Sequence, residues 1–168
     1  TDHRINTNQR VTPAFLIASM LWYPLQKQLN TLNDTNPQLT PQDAFFTAYG
    51  ELISGQQQSI SIPKHFQGVM KDIWILQEKL VRREGKRAYK TFEHPKFRAG
   101  FDFLLLRSEI ESTDENELKL LAKWWEDFQN VTDEVKEQMI KSVRSTTGPR
   151  RTAKKRRKPR PKNTSTTA

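Results

Sequence analysis

Apolar residues recur every three or four positions along most of the chain, and this spacing constrains the fold more than any other feature of the sequence. In the segment 62–81, for example, it places Met70, Ile73 and Trp74 on one face of a helix. Alternation with a period of two, which is typical of half-buried strands, is nearly absent. The sequence therefore predicts an all-α fold, an irregular bundle of six or seven helices.

Start and stop signals divide this pattern into segments. Thr12-Pro13 and the variant capping box at 40–43 predict the first two starts. Pro24 is expected to kink or end the first helix, a loop is expected over 28–38, and Gly55 is expected to end the second helix. Further helices are predicted to follow Pro63, His94-Pro95 and the capping box 112–115, with a short turn over 88–92 and a weaker helix over 133–143.

Three tryptophans can be assigned from this periodicity. Trp74 and Trp125 fall on apolar helical faces, so both are predicted to lie in the core. Trp124 adjoins Trp125 and must point elsewhere. We therefore expect Trp124 to be partly exposed or to lie at an interface.

The formal charge of +9 is concentrated at one end of the chain. Residues 1–147 contain 19 basic and 19 acidic groups, whereas residues 148–168 contain no acid. Because this tail also lacks large apolar residues, we predict a helical body over 1–147 and a disordered tail over 148–168. The tail is predicted to bind a polyanion, the alternative being a solubilising or targeting segment. Its candidate residues are Arg150, Arg151, Lys154, Lys155, Arg156, Arg157, Lys158, Arg160 and Lys162.

Charge is distributed unevenly along the sequence of the body. Residues 79–98 have a net charge of +6, and residues 109–137 have a net charge of −7. Grouped cations on one face suit a phosphate backbone, and Tyr89 among them is a candidate for stacking on an unpaired base. The alternative is that these cations solvate a helix face and pair with the acidic stretch. The candidate RNA-binding residues are Arg82, Arg83, Lys86, Arg87, Lys90, Lys96 and Arg98.

Several chemistries have no support in the sequence. There is no cysteine, the three histidines lack metal-ligand spacing, and no nucleotide-binding loop is present. The acid pairs Glu109/Glu111 and Glu115/Glu117 have a spacing found in metal-dependent nucleotidyl transfer, but a structural role near a helix end is favoured. No catalytic or metal-binding residue is therefore assigned. The chain lacks a signal peptide and a long apolar run, so we expect a soluble cytoplasmic protein, and its first residue, Thr, suggests a piece of a longer one.

Several motifs resemble those of the bacterial poly(A) polymerases. They are DIWILQ at 72–77, RREGKRA at 82–88, EHPKFRAGFD at 93–102, LLLRSE at 104–109 and KWWEDFQ at 123–129, preceded by RVTPAFL at 10–16 and WYPL at 22–25. The basic tail is similar to the arginine-rich extension of that family. The resemblance covers about residues 1–130 by motif and the tail by composition.

The resemblance implies the RNA-binding C-terminal part of an enzyme that adds AMP from ATP to single-stranded RNA 3′ ends with Mg²⁺, marking transcripts for turnover. The catalytic head of that family, which holds the ATP and Mg²⁺ sites, is absent from this sequence. We therefore expect a chain that is inactive alone and that works with its own head, with RNA and with RNA-turnover proteins. The alternative function is a protein interaction module that uses Trp124 and the acidic stretch, with an incidental tail.

Overall fold

The computed structural model describes residues 12–57, 60–111 and 117–146, with side chains up to 143. These residues form eight helices and no strand, which confirms the all-α prediction. This is one helix more than the six or seven predicted, because the short turn expected over 88–92 is itself part of a helix. The helices are α1 Pro13–Met20, α2 Trp22–Thr35, α3 Pro41–Gln57, α4 Lys64–Val81, α5 Lys86–Phe92, α6 Phe97–Ile110, α7 Glu117–Asn130 and α8 Asp133–Thr146.

Two of the predicted helix starts are confirmed by their hydrogen bonds. The Thr12 hydroxyl accepts a bond from the Phe15 N–H at 3.3 Å, and Pro13 occupies the first helical position, where no N–H is needed. The Thr40 hydroxyl accepts from the Asp43 N–H at 3.1 Å and donates to the Asp43 carboxylate at 2.7 Å. Thr40 therefore satisfies a free donor at the start of α3.

Two predicted helix ends are wrong. The loop expected over 28–38 is mostly helix, because α2 continues to Thr35 and half-buries Leu29 and Leu32 against the core. Pro24 lies in the first turn of α2, where proline is tolerated. The helical segment is instead interrupted at Leu21, between α1 and α2. The helix α3 runs through Gly55 to Gln57, since a glycine in an exposed last turn costs only about 1 kcal/mol. The capping box predicted over 112–115 lies outside the described residues.

The first of two cores gathers α1, α2, α3, α4 and α6. Trp74 lies at its centre with 2% exposure, and its indole N–H donates to the Ala18 carbonyl at 3.1 Å. The ring of Phe103 meets the rings of Phe15 and Trp22 edge-on at 6.1 and 5.4 Å. Trp74 is therefore a core residue, as predicted.

The second core lies between α4, α5, α6, α7 and α8. Trp125 is fully buried in it, and its indole N–H donates to the Leu80 carbonyl at 2.9 Å. Phe128 is equally buried and contacts Trp125 at 5.5 Å. This core ties the C-terminal end of α4 to α7, and Trp125 is a core residue as predicted.

The helices α4 and α6 cross closely and contribute to both cores. The Gln77 side-chain amide donates to the carbonyls of Ile73 and Gly100 at 3.1 and 3.0 Å, which joins the two helices. Beside it, the Arg107 guanidinium donates to the Glu111 carboxylate at 2.7 Å, and the Trp22 indole N–H donates to the same carboxylate at 2.9 Å. Glu111 is thus engaged in holding helices together, in agreement with the structural role favoured for it.

None of the helices in the described ranges combines the length and the apolar character needed to cross a membrane.

Candidate nucleic-acid interface

Three exposed cations share the short helix α5. Lys86 and Lys90 lie one helical turn apart, and Arg87 lies beside them. The chain reaches α5 through Gly85, whose φ of 56° is a conformation that favours glycine. Within the described part of the chain, none of the three cations has a carboxylate within ion-pair distance. Lys86, Arg87 and Lys90 are called the α5 cluster below.

Two other predicted residues already pair with acids on their own helices. The Arg82 Nη2 lies 3.7 Å from the Glu78 Oε2, and the Arg98 Nε lies 3.2 Å from the Asp102 Oδ1. Both arginine side chains are 63% exposed, but Glu78 is 59% exposed whereas Asp102 is only 9% exposed, so water weakens mainly the Arg82–Glu78 pair. A phosphate can therefore compete for the Arg82 guanidinium by releasing an exposed carboxylate, whereas freeing Arg98 would remove this cation from the buried Asp102 carboxylate.

Arg83 differs from the other cations because it is fixed in place. Its guanidinium carbon lies 5.2 Å from the centre of the Trp124 ring, and Trp124 in turn stacks on Phe128 at 4.8 Å. The side chain is half-buried, and this burial lowers the pKa of the Arg83 guanidinium from its ordinary value. An arginine remains charged at neutral pH. Arg83 is therefore a cation held on an aromatic platform at the end of α4.

Two donors in this stack have no hydrogen-bond partner in the described structure. They are the Arg83 Nε–H and the Trp124 Nε1–H, both shielded from solvent. Leaving a shielded donor without a hydrogen bond costs free energy. Cation–π attraction between the guanidinium and the indole offsets part of that cost, since such contacts stabilise by roughly 0.5–2 kcal/mol. The half-buried state of Trp124 confirms the expectation of partial exposure.

Lys96 and Tyr89 lie in different surroundings from the α5 cluster. Lys96 is half-buried just before α6, and its backbone N–H bonds to the His94 ring at 3.2 Å, so His94 has a structural partner. Tyr89 is half-buried, with its ring 5.8 Å from Phe128 in the second core. Tyr89 therefore packs as a core aromatic, and stacking on a base is not supported by its position.

The basic stretch 79–98 is not neutralised by the acidic stretch 109–137 in the described ranges. Every ion pair between described residues joins groups three or four positions apart on one helix. The alternative that the two stretches pair with each other is thus unsupported for 79–98, 109–111 and 117–137. The positive charge of α5 remains available to a polyanion.

Several sequence-based assignments lie outside the described residues. They are His3, Glu115 and the tail residues Arg150, Arg151, Lys154, Lys155, Arg156, Arg157, Lys158, Arg160 and Lys162. Across the described ranges, no group of three or more histidine and acidic side chains has the geometry of a metal site.

A family profile described as the arginine-rich C-terminus of polymerase A matches residues 37–162. The chain belongs to this family. The match includes the whole of α3 to α8 and most of the basic tail. The candidate residues of the α5 cluster and Arg83 all lie inside this arginine-rich C-terminal region.

Poly(A) polymerase I of Escherichia coli O6:H1 and that of Salmonella typhimurium are each 40% identical to the chain over 166 residues, which is 99% of the chain. Poly(A) polymerase I of Haemophilus influenzae is 40% identical over 140 residues. The chain spans 35% of the length of the first two relatives and 30% of the third. It therefore corresponds to about a third of each relative, and the matched profile is C-terminal.

Proposed function

We propose that this chain is the part of a poly(A) polymerase that holds single-stranded RNA. The observation that supports the proposal most directly is the α5 cluster, whose three cations have no acidic partner among the described residues. Phosphates attract such cations, and binding releases the counterions of the RNA. The membership in the arginine-rich C-terminal family agrees with this role.

In the whole enzyme, a catalytic head would bind ATP and Mg²⁺ and add AMP to the RNA 3′ end, and RNA-turnover proteins would act on the product in the cytoplasm. Within this chain, basic residues of the helical body bind and position the RNA. The exposed cations of α5 attract the backbone, and Arg83 offers a guanidinium of fixed position. The chain alone is proposed to be inactive, which an adenylation assay with ATP, Mg²⁺ and an oligonucleotide tests.

The proposal is tested by titrating the chain with a labelled single-stranded RNA at several salt concentrations. We expect log K to fall linearly with log salt by roughly 0.7 for each phosphate contact. Because phosphate contacts carry no base information, RNAs of different sequence should show similar slopes. Binding that does not respond to salt would contradict the proposal.

Arg83 should matter through its position as well as its charge. Replacing Arg83 by Lys keeps the charge but removes the planar group that lies on Trp124, so we expect RNA affinity to fall roughly threefold to fivefold. The matched control is Arg87→Lys, at an exposed arginine without an aromatic platform, where affinity should change by less than about twofold. Filter binding at low salt measures both variants. Equal effects of the two substitutions would show that only charge matters.

The alternative of a protein interaction module has less support from the geometry. The contact surface it requires includes an exposed Trp124, yet that side chain is half-buried and its ring already contacts the Arg83 guanidinium and the Phe128 ring. Treatment with ribonuclease during a pull-down separates the two functions, since partners bridged by RNA are released.

A further inference from the structure

A groove of about 630 Å³ lies between the N-terminal half of α3 and the C-terminal half of α4. The two helices contact each other further along, where the rings of Tyr49 and Trp74 meet at 6.0 Å. Beyond that contact they leave a trough of a size typical of small-ligand sites. The residues lining this trough, called the α3–α4 groove below, are Thr40, Pro41, Gln42, Phe45, Phe46, Ile75, Glu78, Lys79 and Arg82.

The groove has an aromatic wall that the core does not use. Phe46 is 44% exposed and lines the groove, while its neighbour Phe45 is 8% exposed and belongs to the first core. The two rings meet edge-on at 5.6 Å, so the buried ring supports the exposed one. An exposed ring braced in this way offers a stacking surface to a planar group.

The end of the groove is cationic and adjoins the candidate interface. Lys79 is exposed and has no ion pair with another residue in the described ranges. Among the residues that the structure describes, the Arg82 guanidinium pairs with Glu78 alone, and this pair is exposed. Arg82 directly precedes Arg83, so the cations of the groove continue into those of the interface.

We propose that the α3–α4 groove is a subsite for one unpaired base of single-stranded RNA. The base stacks on Phe46, and the adjoining phosphates lie against Lys79 and Arg82. The strand then continues along Arg83 towards the α5 cluster. This inference rests on the proposed RNA-binding function and adds to it a site for a base, which charge alone does not provide.

The polar groups of the groove also give it a preference among bases. The Glu78 carboxylate only accepts hydrogen bonds, whereas the Gln42 amide both donates and accepts. Adenine, cytosine and guanine carry an exocyclic amino group with two donors, whereas the single N3–H donor of uracil is flanked by two carbonyl oxygens that repel a carboxylate, so a carboxylate favours the first three bases over uracil. We therefore expect tighter binding of oligoadenylate and oligocytidylate than of oligouridylate, and Glu78→Gln should reduce that difference.

The decisive experiment measures the affinity of the full chain for labelled oligoadenylate by fluorescence anisotropy, in Phe46 variants. Phe46→Ala should lower affinity roughly tenfold, because stacking of one base contributes about 1–3 kcal/mol. The slope of log K against log salt should stay unchanged, since this substitution removes no cation. Lys79→Gln should instead reduce that slope by roughly 0.7.

Two further substitutions identify the occupant of the groove. Phe46→Tyr keeps a planar ring and should retain affinity, whereas Phe46→Leu keeps only apolar bulk and should lose it. Tyr23→Ala is the matched control, because Tyr23 is 56% exposed and does not line the groove. Affinity should not change in the Tyr23 variant. Thermal melting verifies that each variant is folded.

Unchanged oligoadenylate affinity in Phe46→Ala would overturn the base subsite while leaving the RNA-binding proposal intact. Full retention by Phe46→Leu would also overturn it, and would favour an apolar protein side chain as the occupant. Absence of RNA binding by the unaltered chain would contradict the proposed function itself. The two failures are therefore distinguishable.

Discussion

Deletion of residues 148–168 is expected to weaken the binding of single-stranded RNA by at least about a hundredfold at low salt. The deletion removes nine basic residues and no acidic one, and it leaves a body with equal numbers of basic and acidic groups. The slope of log K against log salt should also decrease by roughly 0.7 for each phosphate that the tail no longer binds. Parallel titrations of the full and shortened chains measure both quantities.

A charge-neutral tail provides the control for this deletion. Replacing the nine tail cations by glutamine keeps the length of the chain, so an equal loss of affinity assigns the effect to charge. The melting temperature of the body should be the same in all three proteins, because the residues described in the two cores all belong to the helical body. If the deletion leaves affinity and salt slope unchanged, the predicted role of the tail is wrong.

Local signals in the sequence predicted the helix starts and the core well. Thr12 and Thr40 cap helices as expected, because capping depends on residues within one turn. Trp74 and Trp125 are buried as expected, because the period of 3.6 determines which side chains share a face. The extent of α2 was not predictable in the same way. Its polar last turns are helical because Leu29 and Leu32 find partners that are distant in sequence.

The candidate interface was only partly predictable, for a similar reason. The pairs Glu78–Arg82 and Arg98–Asp102 follow from a spacing of four on a helix. The stacking of Arg83 on Trp124 does not follow from spacing, because α4 and α7 are far apart in sequence. The adjacent tryptophans at 124 and 125 were the signal in the sequence, since one of them had to lie outside the core.

The close crossing of α4 and α6 leads to the largest expected effect on stability. A Cβ atom added at Gly100 would lie 2.8 Å from both Cβ and Cδ1 of Leu76. Because the Leu76 Cβ is fixed to the backbone, a change of rotamer cannot relieve the clash and the helices must move apart. Gly100→Ala should therefore destabilise the chain by roughly 2–3 kcal/mol. Chemical denaturation followed by circular dichroism measures this change.

The matched control is Gly68→Ala, in the interior of α4. Gly68 is exposed, and an added Cβ would meet nothing within 4 Å. The same substitution should there increase the free energy of unfolding by up to about 1 kcal/mol, because alanine has the higher helix propensity. Because the two substitutions should change the free energy of unfolding in opposite directions, their comparison separates the effect of the close α4–α6 crossing from the general effect of replacing glycine by alanine. A Gly100→Ala variant as stable as the unaltered chain would mean that α4 and α6 are not packed this closely.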